Sequence, residues 1–170
     1  AMAPLSVASI TTTRNGLLQR LQDSVDHDFL TRTRARGTFM ARSENAISQG
    51  GNVDGSAVLV LDIDHFKSVN DQHGHAVGDN ALIAFSSAVT STLRKDDLFG
   101  RTGGEEFCVV LPRASAAAAR MVAERIRQAV ERLEIDAGDG TTLSITVSGG
   151  LAVCGSTSKL SFEEMLTRAD

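Results

Sequence analysis

The strongest constraint on the fold is the run of residues 57–63, AVLVLDI, which is apolar at every position except Asp62. A strand with one face in water alternates apolar and polar residues, whereas an unbroken apolar run of this length predicts burial on both faces. The chain is therefore expected to place this strand inside a sheet that has helices packed against it.

The other elements are predicted from periodicity and from turn and capping residues. In chain order they are a helix over 33–49, a loop over 64–78, a helix over 79–93, a hairpin of strands 98–102 and 107–111, a helix from Ser115 to about 133, a strand over 143–153 with a bulge or bend at Gly149-Gly150, and a helix from Ser161.

From residue 57 onward this order is strand, helix, strand, strand, helix, strand, which is the split βαβ pattern of ferredoxin-like folds. The pattern predicts an α+β domain with an antiparallel central sheet and flanking helices. Right-handed crossovers place the first and third strands side by side and antiparallel in the sheet centre. Asp62, at the end of the first strand, is then expected to lie beside the hairpin turn that carries Glu105 and Glu106.

Carboxylates gathered in this way raise one another's pKa values unless a cation is present. The cluster comprises Asp62, Asp64, Glu105 and Glu106, and its oxygen ligands favour Mg²⁺ over zinc, with Mn²⁺ as an alternative. Gly103-Gly104 lacks Cβ atoms, so a phosphate can approach the backbone. Together these features indicate metal-assisted phosphoryl or nucleotidyl transfer. An ordinary hairpin turn with two solvated glutamates remains the alternative.

Several other classes of protein are disfavoured. A net charge of −4 provides no global attraction for nucleic acid or an anionic membrane, and no apolar run approaches the ~20 residues of a spanning helix. Cys108 and Cys154 lie far apart and outside any CxxC motif, which favours a reducing, cytoplasmic setting. A P-loop motif is absent. His73 and His75, on a polar loop, are interpreted as structural.

Two segments of the chain resemble the GGDEF family of diguanylate cyclases. They are residues 62–79, DIDHFKSVNDQHGHAVGD, and residues 101–107, RTGGEEF, which carries the GGEEF variant of the signature. The first matches the family pattern DxDxFKxxND…GHxxGD at its defining positions. The resemblance spans roughly residue 28 to the C-terminus and implies a nucleotidyl cyclase-like form of the ferredoxin-like fold.

The resemblance also implies roles for the carboxylates. Asp62 and Glu105 would be the side-chain ligands of the metal, with the backbone carbonyl of Ile63 as a third ligand and Glu106 near the ion. Asp62, Glu105 and Glu106 are accordingly the predicted catalytic residues. Glu105 could also help to deprotonate the ribose 3′-hydroxyl.

A further group of residues is implied to bind the GTP substrate. Asn70 and Asp79 would read guanine, because its N1–H and N2 amine are donors that a carboxylate accepts. Lys67 and Arg101 would face phosphates, and the remaining members of the substrate-binding set are Phe66, Gly103 and Gly104. For the guanine pair the alternatives are that Asn70 caps a turn and that Asp79 N-caps the following helix.

The implied activity is the condensation of two GTP molecules into cyclic di-GMP with release of pyrophosphate. Each domain would hold one GTP, so catalysis would require a homodimer. Arg94-Lys95-Asp96-Asp97 has the spacing of the family's RxxD inhibitory site, where product binds, and Arg125 matches a secondary arginine of that site. The alternative is that these basic residues simply favour a helix C-terminus.

Residues 1–27 are expected to be a tag remnant and a linker helix with an apolar stripe at 17, 18, 21 and 25, and residues 28–170 a GGDEF domain truncated in its last helix. The domain could belong to the cytoplasmic part of a larger sensor protein. The entry segment departs from the family's DxLTGLxNRR at four positions, namely Arg32, Thr33, Ala35 and Gly37.

Two other functions remain open from the sequence. The irregular entry segment is compatible with a degenerate, non-catalytic module that senses GTP or cyclic di-GMP. An RNA-binding ferredoxin-like domain would stack bases on sheet aromatics. The first strand has no aromatic residue and the chain contains no Tyr or Trp, which disfavours nucleic acid as a partner.

Overall fold

The computed structural model describes residues 26–50, 55–138, 140–155 and 160–170; the predicted N-terminal linker helix lies almost entirely outside these ranges. The elements are, in chain order, α1 (Arg36–Gly50), β1 (Ser56–Ile63), α2 (Phe66–His73), α3 (His75–Thr92), β2 (Leu98–Arg101), β3 (Glu106–Pro112), α4 (Ala116–Glu131), β4 (Ile135–Asp136), β5 (Thr142–Leu143), β6 (Val147–Cys154) and α5 (Phe162–Ala169).

The main sheet has the strand order β2-β3-β1-β6, and each neighbouring pair is antiparallel. The first strand therefore lies in the sheet centre beside the third, as the split βαβ pattern predicts. Strands β4 and β5 form a separate two-stranded hairpin. The predicted α+β class, with an antiparallel sheet and flanking helices, is confirmed.

Both faces of strand β1 are covered, which explains its unbroken apolar sequence. Leu59 and Leu61 belong to a core shared with the helices α3 and α4. Val58 belongs to a second core on the opposite face, where Phe39 of α1 and Phe162 of α5 pack. The sheet is thus a middle layer with helices on both faces.

The loop predicted over 64–78 is largely helical, so that prediction was wrong. Phe66 and Val69 lie one turn apart and are both buried, so packing against the core stabilises helix α2 within a segment of polar appearance. His65 (φ 56°) and Gly74 (φ 83°) adopt left-handed backbone conformations that set off the two ends of this short helix.

The prediction of a bulge or bend at Gly149-Gly150 was also wrong. Both glycines pair in continuous register with β1, Gly149 opposite Leu61 and Gly150 opposite Val60. They are needed because other backbone approaches closely: a Cβ on Gly150 would overlap the carbonyl oxygen of Ala169. Helix α5 therefore packs directly on the backbone of strand β6. The single strand predicted over 143–153 is also two strands in the structure. Strand β5 ends at Leu143, and β6 begins at Val147.

The predicted helix starts are confirmed by their caps. The Ser115 hydroxyl accepts a hydrogen bond from Ala118 N–H at the start of α4 (3.2 Å). Ser161 and Glu164 form a reciprocal capping box at the start of α5. No helix within the described ranges is long and apolar enough to cross a membrane.

Replacing Gly150 by alanine tests the contact between α5 and β6. Gly150→Ala is expected to lower the free energy of unfolding by about 1–3 kcal/mol, because the new methyl group must displace the end of α5. Denaturant unfolding followed by circular dichroism measures the change. Gly37→Ala is the matched control: its Cβ meets no atom within 4 Å, and it should be neutral or slightly stabilising. Equal effects of the two substitutions would contradict the contact.

Candidate active site

The pairing of β1 with β3 brings Asp62 opposite Glu106. Side chains alternate between the faces of a strand, so Asp62 shares the face of Val58 and Val60, which is the one covered by α1 and α5. Partial burial, together with the nearby carboxylates Glu106 and Asp64, raises the pKa of Asp62. A bound cation would relieve this repulsion.

Asp64 has partners of its own beside the cluster. The Thr146 hydroxyl donates to Oδ2 of Asp64 at 2.6 Å, and the Asp64 N–H donates to the carbonyl oxygen of Thr146 at 3.0 Å. Hydrogen bonds from Ser148 and Thr146 lower the pKa of Asp64. This carboxylate therefore fixes the segment that leads into β6. Thr146 and Ser148 were missed from sequence because no local pattern connects them to Asp64.

The hairpin turn is held together around Glu106. Thr102 N–H and Gly103 N–H both donate to the backbone carbonyl oxygen of Glu106, at 2.9 and 3.2 Å. A Cβ on Gly103 would overlap the carboxylate of Glu106, so the glycine is required for this side chain to fold over the turn. Glu105 is half-buried and Glu106 is exposed, and Gly104 has open space around its Cα. The turn therefore leaves room for a ligand beside both glutamates.

The side chain of Arg101 connects the turn to the entry segment. Its Nε and Nη2 donate to the carbonyl oxygen of Gly104 at 3.1 and 2.6 Å. Its Nη1 lies 3.1 Å from Oδ1 of Asp28, and the two side chains are only 15% and 18% exposed. The family resemblance implies a phosphate contact for Arg101, whereas in this structure its guanidinium binds protein groups. Its observed contacts position the turn.

Asp28 anchors the entry segment to this arginine. Burial alone would raise the pKa of Asp28, but hydrogen bonds from the N–H and hydroxyl of Thr31 and from Arg101 outweigh it and lower the pKa. The two bonds from Thr31 measure 2.9 and 2.7 Å. The entry segment and the signature turn are therefore one hydrogen-bonded unit, although about 70 residues separate them in sequence.

A groove of about 310 Å³ opens beside Glu106 on the face covered by α1 and α5. Val60 and Thr102 line it near the carboxylates, and Thr167 and Asp170 line it at the end of α5. Arg36 forms part of its wall and donates from Nη1 to the carbonyl oxygen of Thr102 at 2.9 Å. The groove thus has carboxylates and a guanidinium at its edge, which suits a metal-bound phosphate.

The helices α2 and α3 bring the predicted guanine-reading residues together. A Cβ on Gly78 would overlap the side-chain oxygen of Asn70, so this amide lies against the residue that precedes Asp79. Asn70 is half-buried and Asp79 is exposed. Because α3 begins at His75, Asp79 lies within the helix and the alternative of an N-cap is wrong.

Two other predicted substrate contacts occupy different environments. Phe66 is 6% exposed and belongs to the core, where it lies close to Gly78. It therefore packs beneath the backbone beside Asn70, and its contact with substrate stays a prediction. Lys67 is exposed in the first turn of α2.

The predicted inhibitory residues lie near one another at the end of α3. The Arg94 N–H donates to Oδ2 of Asp97 at 2.8 Å, which closes the turn before β2. The guanidinium of Arg125, on α4, donates to the carbonyl oxygen of Thr92, two residues before Arg94. Arg94 is exposed and Asp97 is half-buried.

The donor set fits a hard cation that keeps much of its own hydration. Among the residues described, no three His, Cys, Asp or Glu side chains gather into a closed metal cage. Asp62 and Glu106 are neighbours at the sheet edge, and the carbonyl group of Ile63 follows at the end of β1. Mg²⁺ is typically held by one or two carboxylates and completes its shell with water and substrate phosphates.

Comparison with known proteins identifies the family. Residues 25–170 match the family model described as diguanylate cyclase, GGDEF domain. The chain is 34% identical over 152 residues to the Escherichia coli protein named Probable diguanylate cyclase DgcF, which covers 89% of this chain and 47% of that protein. It is 43% identical over 105 residues to diguanylate cyclase A of Treponema denticola, covering 62% of this chain and 28% of that protein. The chain thus spans less than half of these relatives.

Solved structures agree with this assignment. The coiled coil and GGDEF domain of DgcB from Caulobacter crescentus, in complex with c-di-GMP, superposes with a TM-score of 0.84 at 28% identity, covering 96% of this chain and 85% of that one. The diguanylate cyclase SiaD from Pseudomonas aeruginosa, in complex with its activator SiaC, gives a TM-score of 0.80 at 31% identity, covering 96% and 62%.

The Asp28 anchor predicts a pH-dependent stability. A carboxyl whose pKa is lowered by folding stabilises the folded state above its unfolded pKa of about 3.9, and this contribution is lost as the pH falls through the folded value. Asp28→Asn is therefore expected to reduce the free energy of unfolding by about 1 kcal/mol at pH 7, with the difference shrinking below about pH 4. Urea titrations at several pH values measure it, and a pH-independent difference would contradict the charge-based explanation.

For Asp62 the expected effect of ionisation on stability has the opposite sign. A carboxyl whose pKa is raised by folding destabilises the folded state as the pH rises above its unfolded value. Without divalent metal, Asp62→Asn is expected to raise the melting temperature at pH 7, and the gain should shrink at low pH. Asp71→Asn, at an exposed position on α2, is the matched control and should change little. Differential scanning calorimetry in the presence of a chelator measures both melting temperatures. A lower melting temperature for Asp62→Asn would contradict the claim that the ionised Asp62 carboxylate destabilises the fold without a cation.

Proposed function

Because the chain belongs to the GGDEF family of diguanylate cyclase domains, we propose that it condenses two GTP molecules into cyclic di-GMP with release of pyrophosphate. The observation that carries this proposal is the placement of Asp62 opposite Glu106, which lines the groove, beside a turn with open space at Gly104. The named relatives and the neighbour that contains c-di-GMP support the same activity.

Asp62, Glu105 and the carbonyl group of Ile63 would hold a divalent ion, Mg²⁺ or Mn²⁺, with Glu106 beside it. When bound, this ion supplies a Lewis acid that neutralises triphosphate charge and activates the ribose 3′-hydroxyl. Glu105, half-buried at the turn, would accept the hydroxyl proton. Arg101 and Asp28 would hold the turn in shape while the pyrophosphate leaves.

Specificity for guanine would come from Asn70 and Asp79. The Asp79 carboxylate accepts hydrogen bonds from guanine N1–H and N2, whereas adenine would leave it unpaired. The Asn70 amide lies against Gly78, directly before Asp79 in sequence, so the two side chains could address the same base. Lys67, exposed one helical turn before Asn70, would add positive charge for the phosphates.

Making a cyclic dinucleotide requires two such sites. Each domain would bring one GTP, and a homodimer would place each 3′-hydroxyl against the α-phosphate of the opposite nucleotide. The Arg94–Asp97 turn, with Arg125 nearby, would bind product and restrain activity. The guanidinium groups can address phosphate or guanine, and the Asp97 carboxylate can accept from a guanine edge.

A second candidate is a non-catalytic module that binds GTP or cyclic di-GMP as a sensor. The observation that favours it is the divergent entry segment, in which Arg32 adopts a left-handed backbone conformation (φ 58°). Binding of nucleotide without turnover in the full-length protein would favour this candidate over the cyclase.

Glu105→Ala is expected to lower the rate of cyclic di-GMP formation by about 10²–10³-fold, because the site loses a metal ligand and a proton acceptor. The measurement is chromatographic quantification of product from GTP and Mg²⁺ with the full-length protein. The matched control is Glu134→Ala, at an exposed position after α4, which should retain full activity. An active Glu105→Ala protein would refute the assigned role, and an inactive unsubstituted protein would refute the proposed activity.

A further inference from the structure

A second groove, of about 360 Å³, separates the entry segment from the turn after α3. It lies between residues 27–34 and 90–99, and its ionisable lining residues are His27, Arg32, Arg34, Arg94, Lys95 and Asp97. With histidine neutral, four positive charges face one carboxylate. In a chain of net charge −4 this is a local concentration of positive charge, and its volume is within the range of ligand pockets.

Arg32 is presented to this groove by a tightly closed loop. The Asp28 N–H donates to the carbonyl oxygen of Thr33 at 2.8 Å, and the Arg32 N–H donates to the carbonyl oxygen of Asp28 at 2.9 Å. Thr33 is buried, whereas Arg32 is exposed. Arg32 has a positive φ of 58°, a conformation that favours glycine. The loop therefore carries an exposed guanidinium at a position where the backbone alone would prefer no side chain.

Arg34 is fixed to the edge of the sheet on the same groove. Its N–H donates to the carbonyl oxygen of Phe99 at 3.3 Å, and its carbonyl oxygen accepts from the Arg101 N–H at 3.2 Å. The side chain is half-buried, and burial together with the nearby Arg42 lowers its pKa, against an opposing effect of Asp26. A bound anion would compensate for this burial and repulsion.

We propose that Arg32 and Arg34 form a phosphate-binding subsite that extends the Arg94–Asp97 turn, so that the groove binds a ligand with two separate phosphates, a cyclic dinucleotide. This inference rests on the proposed function, because the product supplies such a ligand. One phosphate would lie on the entry segment, and Arg94 and Asp97 would hold the rest of the molecule. Binding of product would then tie the entry segment to the end of α3.

Arg32 and Arg34 would bind the phosphate of any of several ligands, so the experiment must distinguish a cyclic dinucleotide from other phosphate compounds. Calorimetric titrations of the full-length protein with cyclic di-GMP, GTP and pyrophosphate compare three ligands of different phosphate spacing. Cyclic di-GMP is expected to bind at least tenfold more tightly than pyrophosphate to this groove. Equal binding of pyrophosphate would overturn the assignment to a cyclic dinucleotide.

The test uses Arg32→Gly and Arg34→Gln. Each is expected to weaken binding of cyclic di-GMP about tenfold, because each removes a charge-assisted hydrogen bond, and to reduce its salt dependence. Initial turnover of GTP, measured before product accumulates, should stay unchanged. Arg132→Gln, at an exposed arginine after α4, is the matched control and should bind product normally. Glycine tolerates positive φ, so Arg32→Gly should fold at least as stably as the parent.

The outcomes distinguish this inference from the proposed function. If Arg32→Gly and Arg34→Gln bind product normally while Arg94→Ala does not, the entry-segment subsite is refuted and the inhibitory turn stands. If all three bind product normally, the inhibitory site is refuted as well, and the cyclase activity is judged separately from turnover of the unsubstituted protein. Weakened binding in both entry-segment variants, with normal initial turnover, supports the subsite.

Discussion

The antiparallel pairing of β1 with β3 is the constraint on which the candidate site depends. It sets Asp62 against Glu106, and the repulsion between them follows directly from that register. A slip of one strand by one residue would move its carboxylate to the opposite face of the sheet and separate the pair. The apolar residues that bury both faces of β1 therefore also hold the two carboxylates in place, so packing and chemistry are specified by the same stretch of chain.

Around this pairing the structure uses long-range polar contacts to fix short segments. Arg101 ties the turn to Asp28, and Thr146 ties Asp64 to the start of β6. Both contacts join parts of the chain that lie far apart in sequence. The Arg101–Asp28 pair is also largely buried, where hydrogen bonds to charged groups are most effective. The site is consequently assembled by the whole domain. No single loop contains it.

The sequence predicted the fold class, the strand order in the sheet centre and the approach of Asp62 to the turn, because hydrophobic runs and crossover rules determine them. It did not predict helix α2, since its polar residues obscured the two buried positions, Phe66 and Val69. Nor did it predict that Phe66, implied by the motif to bind substrate, would be buried, because a motif gives residue identity without burial. The Arg101–Asp28 pair was equally invisible, because tertiary contacts leave no local pattern. The proposed ligand roles of Glu105, Asn70 and Asp79 stay predictions.

The contact between Gly150 and Ala169 has a consequence for how the domain can evolve. Strand and helix backbones touch there without an intervening side chain, so neither position can enlarge alone. A bulkier residue in β6 would require the end of α5 to withdraw, and that end lines the groove beside Glu106. Substitution at an apparently structural glycine would therefore reshape the ligand groove. Under the proposed function, selection on nucleotide binding would thus extend to a glycine outside the proposed site.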